Sequence, residues 1–451
     1  MSIFREYDIR GVYGTALTEE ISEEIGKAFG TFILQSGGRK ISLGYDIRLS
    51  SPSLRSALLS GLLSTGIDVV DIGACPTPVL YFSLFQLEVD GGIMVTASHN
   101  PAEFNGFKLC RGRQTLFGSD IQQIRTMINQ QRFRQGKGKV TFEKDFLSVY
   151  LNYFIKHFGS FRSKKVVMDC GNAAASLIAP QIMERLGCEL IPLYCEPDGR
   201  FPNHHPDPTV PENLVDLIAT VQKEGADVGI AFDGDADRLG AVDEKGNIIW
   251  GDRLTLLFAT DILKTNPGAT IISEVKASQI LYDEVARLGG NGIMWKTGHS
   301  LIKAKMKETG TLLAGEMSGH LFFADRYFGY DDAIYAGCRL VELLIKEDKP
   351  LSSHFVNLPE SYVTPEIRVD CPDDKKFEVV EQCRDYFSKE FKTIDIDGVR
   401  ILFEDGWALI RASNTQPALV LRFEAKSQER LNETRKYVEG VLENVKGSRD
   451  F

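Results

Sequence analysis

Residues 39–73 read "RKISLGYDIRLSSPSLRSALLSGLLSTGIDVVDIG". A short run rich in β-branched residues meets a turn of Asp, Arg and Ser. An apolar-periodic segment follows, with Leu54, Leu58 and Leu62 at helical spacing, and a second β-branched run closes the unit. The order is strand, loop, helix, strand. "SKKVVMDCGNAAASLIAPQIMERLGCELIPLY" (163–194) repeats it, with Ile178, Ile182 and Leu186 on one helical stripe. "GATIISEVKASQILYDEVARLGGNGIMWKTG" (268–298) repeats it again. Strands alternating with helices of this length predict crossover units and mixed, largely parallel sheets. Three such units, each about 100 residues or more from the next, predict three related α/β domains.

The last stretch differs. "RILFEDGWALIRASNTQPALVLRFEAKS" (400–427) reads as hairpin-linked strands, and "QERLNETRKYVEGVLENVKG" (428–447) as one amphipathic helix. This predicts a smaller α+β fourth domain. "KEDKPLSSHFVNLPESYVTP" (346–365) has the charge and proline content of a linker. The chain has 451 residues, 43% of them hydrophobic and 25% charged, which fits a soluble globular protein of three or four domains. A formal charge of −10 argues against nucleic acid or anionic membrane as a partner. Any anionic substrate must then be drawn by local basic groups. Eight scattered cysteines with no CxxC pair read as reduced, buried thiols of a cytoplasmic protein. The start carries charges where a signal peptide needs an apolar core, and no apolar run spans a bilayer.

Four stretches concentrate chemistry. In "VGIAFDGDADRLGAVDEKG" (228–246), Asp233, Asp235 and Asp237 alternate, so an extended backbone puts them on one face. Three carboxylates so close call for a hard divalent cation, and Mg²⁺ is the common cytosolic choice. A calcium loop is the rival, with Glu244 at its last ligand position, but Arg238 stands where that loop needs glycine. Arg238 can pair with an anion that the metal also touches, and Arg10 of "YDIRG" is a second donor of that kind. "RASNTQP" packs Arg411, Ser413, Asn414 and Thr415 into one turn, which suits a phosphate or equally an ordinary turn. "LAGEMSGHLFF" alternates Glu316, Ser318 and His320, suited to sugar hydroxyls and a proton shuttle, or to a half-buried strand edge. "MVTASHNPAEFNGFK" (94–108) ends a strand on Ser98 and His99. Adjacent side chains diverge in extended backbone, so a Ser–His nucleophile–base pair is not expected there. In the proline-rich loop "CEPDGRFPNHHPDPTVPENL" (195–214), His204 and His205 suggest a metal but lack a second ligand at helical spacing.

"TASHNP", "DGDADR", "GEMSGH" and "RASNTQP", in that order, resemble the α-D-phosphohexomutases. "FREYDIRG" and "WKTGHSLIKAKMKETG" extend the resemblance over essentially the whole chain. "GEMSGH" is similar to the phosphomannomutase/phosphoglucomutase branch; glucosamine-phosphate mutases typically carry glutamine where Met317 stands. The resemblance implies three α/β domains and a C-terminal α+β domain around a central cleft, here 1–144, 145–247, 248–357 and 358–451. It implies reversible conversion of hexose 1-phosphate to hexose 6-phosphate through a phosphoserine and a hexose 1,6-bisphosphate. Ser98 then carries the phosphate and completes the Mg²⁺ site with Asp233, Asp235 and Asp237. Arg10 and Arg238 contact that phosphate, and Lys108 and His320 act as general acid and base. Glu316 and Ser318 hold sugar hydroxyls, and Arg411, Ser413, Asn414 and Thr415 bind the phosphate that is not reacting. Tyr7, Lys276 and His299 match further substrate contacts. His99 and Asn100 fix the loop. The partners implied are phosphosugars, with the protein itself a monomer or dimer. One departure is Ala236, where many relatives have glycine; a methyl group there restricts the backbone if φ must be positive. A phosphoglucosamine mutase, a metal-dependent sugar phosphatase and a non-catalytic phosphosugar sensor are the alternatives.

Overall fold

The computed structural model describes residues 3–414 and 416–447. Its first three sheets share one plan, so the weak repeat in sequence is a repeat of topology. In the first, Gly91–Val95 runs parallel to Lys40–Tyr45, which pairs parallel with Asp68–Ala74. On its other side Gly91–Val95 takes Phe104–Arg111 as an antiparallel hairpin partner. In the second, Val228–Phe232 lies between parallel Lys165–Asp169 and its own hairpin partner Leu239–Asp243. In the third, Leu313–Gly315 lies between parallel Thr270–Glu274 and hairpin partner Leu321–Phe323. The fourth sheet is antiparallel throughout, with Gly406–Ala412 returning as Ala418–Ala425. The long helix Gln428–Gly447 packs on it through Leu431, Val438 and Leu442.

This plan places the chemistry. The loops 96–103, 233–238, 316–320 and 413–417 each join a strand to its antiparallel partner. The same structural position in all four units thus carries a motif read from the sequence. The first expected stripe holds, with Leu54, Leu58 and Leu62 fully buried. The second holds in part: Ile182 and Leu186 are buried on the helix Ala179–Leu186, whereas Ile178, also buried, stands just before it in non-helical backbone. The second sheet runs on to Ile248–Ile249, two residues past the limit expected at 247, because those residues pair with Ala241 and Val242.

The first three units keep apolar clusters of their own, around Phe29 and Leu58, around Val167 and Val221, and around Ile302 and Phe322, and they also share one. One apolar cluster runs from Ile72 to Leu351 and joins Phe82, Phe146, Tyr150, Phe258, Tyr327 and Tyr335. At its centre Asp332 accepts from the hydroxyls of Tyr150 and Tyr327, each at 2.8 Å, and from the Tyr335 amide at 2.9 Å. A buried carboxylate with three donors is satisfied, and it ties the helix start at Ala333 to the aromatic core. Contact of this kind fixes the first three loops relative to one another.

Candidate active site

Ser98 sits at the tip of the first loop with φ +50°, in left-handed backbone. That conformation turns its side chain, and the expected divergence from its neighbour does not occur. Ser98 Oγ lies 3.1 Å from His99 Nδ1 and donates to Asp233 Oδ2 at 2.8 Å. Burial and the Arg238 and Arg10 charges push the His99 imidazole well below its usual range. The loop is held by a residue the sequence reading passed over. Arg48, 1% exposed, donates to the carbonyls of Ser98 (2.7 Å), Asn100 (2.6 Å), Pro101 (2.6 Å) and Phe104 (3.1 Å). Asp46 is its counter-ion at 3.2 Å. Five donors in a rigid fork match several carbonyls at once, which lysine cannot do. Arg10 bridges Asp8 (2.5 Å) and the Asn100 side chain beside this loop.

The aspartate loop is a tight turn, not the extended segment expected. Asp233 Oδ1 accepts the amides of Asp237 (3.0 Å) and Arg238 (3.1 Å), which curls the chain around it. The three carboxylates still converge: one oxygen of each lies within 4.8 Å of the others, and all three residues are fully buried. Asp235 Oδ1 and Asp237 Oδ1 have no hydrogen-bond partner. Burial, then Asp237 and Asp235, pushes the Asp233 carboxyl well up. Burial alone would raise Asp235 as well, but the Lys108 ammonium overrides it and holds that carboxyl low. Lys108 donates to Asp235 at 2.8 Å and to Asp237. All-oxygen donors, two of them unsatisfied, fit a hard divalent cation. The calcium-loop alternative fails, because Glu244 turns away to Ser352, accepting its hydroxyl at 2.5 Å and its amide at 3.2 Å. His204 is likewise taken, by Asp169 at 2.9 Å and the His205 carbonyl at 2.9 Å.

Ala236 has φ +63° and is fully buried. The position does need left-handed backbone, and alanine holds it at a cost of about 1–2 kcal/mol. Removing the methyl gives up about 0.8 kcal/mol of burial and adds backbone entropy to the unfolded chain. The terms offset. Ala236→Gly should change stability by less than about 1 kcal/mol, whereas Ala236→Val, β-branched and poorly tolerated at positive φ, should cost more than about 2 kcal/mol. Thermal melts of the two variants decide it.

The third loop brings His320 to the aspartates. Its Nδ1 lies 3.1 Å from the Asp237 carbonyl, and its Nε2 accepts from Arg238 Nε at 3.1 Å. Glu316 accepts the Gly298 amide at 2.6 Å, and burial, then Glu274, raises its carboxyl. Ser318 is half-buried in the same turn. His299 is pushed down to about 4 by burial and the Lys303 ammonium and stacks on His320.

The fourth unit closes the ring. Asn414 donates to the Tyr7 hydroxyl at 2.6 Å, and Tyr7 donates to the Thr297 carbonyl at 2.8 Å. First, third and fourth units thus meet at one phenol. Arg411 pairs with Asp397 at 3.0 Å, which also takes the Thr297 amide. The Ser413 hydroxyl accepts the Gln416 amide at 3.1 Å, and Thr415 lies outside the described residues. Asp397 carries no motif of its own and only the fold reveals it.

Lys276 bridges units three and four, 3.5 Å from Glu274 and 3.1 Å from Glu366. Lys276 holds the Glu366 carboxyl at about 2, against burial and below its ordinary 4.5. A carboxyl lowered on folding stabilises above its unfolded value, and that contribution fades as pH falls through the folded one. Acid between about pH 4.5 and 2 should therefore loosen this contact. Glu366→Gln should flatten the dependence of Tm on pH over that window and cost roughly 2–3 kcal/mol at neutral pH.

Comparison with known proteins gives a consistent result. Profiles of phosphoglucomutase/phosphomannomutase match in order: alpha/beta/alpha domain I over residues 1–135, domain II over 148–246, domain III over 250–362, and the C-terminal domain over 366–441. The phosphomannomutase/phosphoglucomutase of Pseudomonas aeruginosa is 48% identical over 448 residues, 99% of this chain and 96% of that one. The phosphoglucomutase of Neisseria gonorrhoeae is 44% identical, covering 98% and 97%. The crystal structure of a phosphoglucomutase/phosphomannomutase family protein from Burkholderia thailandensis superposes with a TM-score of 0.93 at 42% identity, covering 99% and 98%. Among the described residues no helix is long and apolar enough to cross a membrane. Six of the eight cysteines are buried and all are free; Cys188 and Cys195 are only half-buried, contrary to expectation.

Proposed function

The chain belongs to the phosphoglucomutase/phosphomannomutase family, and from that premise we propose that Ser98 carries the phosphoryl group this phosphohexomutase passes between the 1- and 6-oxygens of a hexose. The enzyme interconverts hexose 1-phosphate and hexose 6-phosphate, with mannose and glucose phosphates as the substrates that its relatives' names indicate. The observation that carries the Ser98 assignment is its hydroxyl, 2.8 Å from Asp233 in a loop whose carbonyls Arg48 gathers. A phosphate on that oxygen would bring about −1.5 to −2 charges to a cluster of three aspartates. A divalent cation held by Asp233, Asp235 and Asp237, magnesium by its oxygen preference, supplies charge neutralisation for the transferred group when bound.

The chain's own groups do the rest. Arg10 and Arg238 offer guanidinium donors to the phosphoryl oxygens. An incoming sugar hydroxyl attacks the phosphorus in line, its proton passes to a base, and the bond from phosphorus to Ser98 Oγ breaks. His320 and Lys108 are that acid–base pair, one from the third loop and one from the strand that follows Ser98. Glu316, Ser318, His299 and Lys276 orient the sugar, and Arg411, Ser413, Asn414, Thr415 and Tyr7 take the phosphate that is not reacting. Return transfer from the turned 1,6-bisphosphate restores phosphoserine and releases the isomer. Free thiols and an acidic net charge support a cytoplasmic location.

Phosphorus NMR tests this. Enzyme with Mg²⁺ and a trace of glucose 1,6-bisphosphate should convert glucose 1-phosphate and mannose 1-phosphate to their 6-phosphates with almost no inorganic phosphate. Inorganic phosphate as the main product would identify a phosphatase. Turnover confined to an aminosugar phosphate would move the assignment to the glucosamine branch.

A further inference from the structure

The strand Thr270–Glu274 ends beside the third loop, and its last two residues grip that loop on either side of Glu316. Ser273 Oγ donates to the Gly315 carbonyl at 2.7 Å. Glu274 Oε1 accepts the Met317 amide at 3.0 Å. The other oxygen, Glu274 Oε2, accepts the Thr297 hydroxyl at 2.5 Å. Thr297 precedes Gly298, whose amide donates to Glu316 Oε1 at 2.6 Å. These bonds close a circuit: Glu274 to Met317, along the chain to Glu316, across to Gly298, along the chain to Thr297, and back to Glu274. Lys276 Nζ stands 3.5 Å from Glu274 Oε2.

Glu274 is fully buried, so it acts on a sugar only through these neighbours. The circuit ties the turn that carries Glu316 and Ser318 to the segment that leads into His299. Moving one loop away from the other breaks at least one bond and leaves a buried polar group unpaired, which is costly. Stability alone explains the carboxylate poorly, because packed apolar residues in place of a buried ionic group are often as stable. We propose that Glu274 is a positioning residue for sugar recognition: its two oxygens set the Glu316 turn against the 297–299 segment, and so set the spacing of the groups that hold the sugar hydroxyls. The inference rests on the reading of Glu316 and Ser318 as hydroxyl-binding groups.

The rival role for Glu274 is counter-ion to Lys276. Kinetics of the Mg²⁺-loaded enzyme on glucose 1-phosphate and its 2-, 3- and 4-deoxy analogues separate the two. Hydroxyl contacts are alike before and during transfer, so their loss falls on KM. Glu274→Leu removes both acceptors and should raise KM for glucose 1-phosphate by about tenfold or more, with kcat within about threefold. Glu274→Gln loses the charge but can still accept the Met317 amide and donate to the Thr297 hydroxyl, so its KM should stay within about threefold of normal. The Glu274→Leu penalty should shrink to about threefold or less on at least one deoxy analogue, the one lacking a hydroxyl that the turn holds. A Glu274→Gln loss equal to that of Glu274→Leu would make Glu274 a counter-ion and overturn the proposal. So would unchanged KM in Glu274→Leu, or a penalty of one size on every substrate. If Glu274→Leu does not fold, Thr297→Val cuts the circuit at one bond and carries the test. Its KM should rise about three- to tenfold with the same dependence on the missing hydroxyl, and an unchanged KM there overturns the proposal. Ser318→Ala with no penalty that depends on a sugar hydroxyl would instead remove the reading of the turn beneath it.

Discussion

Ser98→Ala should leave a folded protein that has lost at least about 10⁴-fold in kcat toward hexose phosphates. The fold has little stake in the hydroxyl. Ser98 makes one side-chain bond to Asp233 and one contact to His99, while Asp233 keeps two amide donors on its other oxygen. Losing the bond costs about 1 kcal/mol, and alanine adopts φ +50° as readily as serine. The chemistry has everything at stake, because without Oγ no phosphoryl group is stored and none can be returned. A phosphatase built on the same aspartates would use water as the nucleophile and would keep most of its activity. The variant should also fail to take up label from phosphorus-32 glucose 1,6-bisphosphate. Residual mutase turnover above about a tenth of normal would sink the assignment of Ser98.

The sequence shows which residues matter more clearly than how they meet. Asp233, Asp235 and Asp237 are legible because three carboxylates in five residues are costly without a cation. Their turn geometry is not, since it depends on Asp233 bonding two amides four and five residues on. The Ser98–His99 contact was missed for a similar reason: period-two reasoning fails once a residue enters left-handed backbone. Arg48 follows an ordinary-looking "GYDI", and its four carbonyl partners lie about fifty residues away. Asp331 looks like half of a helix cap. Only the fold shows that its neighbour Asp332 is the cap and that Asp331 faces His299 and His320. What was readable is the residue type that chemistry demands, and what was not is any partner set by the fold, within a unit or between units.

Gly234 is the sharpest case of such a partner, and Gly234→Ala should produce a second large loss. A Cβ there would fall inside the van der Waals shell of the Ser98 carbonyl oxygen, with its carbon also close. Neither side can give way cheaply. The Ser98 carbonyl is held by Arg48 at 2.7 Å, and the Gly234 carbonyl accepts the Ala174 amide at 3.2 Å. Next along the loop, the Asp235 carbonyl takes the Thr77 amide at 2.9 Å and the Ala236 carbonyl takes the Ala333 amide at 3.2 Å. Three units therefore clamp the loop, and the added methyl must push Ser98 and the aspartates apart. A shift of about 1 Å at a reacting centre costs on the order of 10²-fold in rate. The overpacking itself costs about 1–3 kcal/mol, so the variant should still fold. The expected signature is a kcat drop of about 100-fold or more together with a weaker Mg²⁺ requirement curve, shifted to higher concentration. Gly251→Ala is the contrast, since its Cβ would meet the Glu316 and Met317 carbonyls in the third loop instead. That variant should disturb KM for sugar phosphate more than the response to metal. If Gly234→Ala kept normal kcat and metal response, the close approach of the Ser98 and Asp233 loops would not be the geometry in which the phosphoryl group moves.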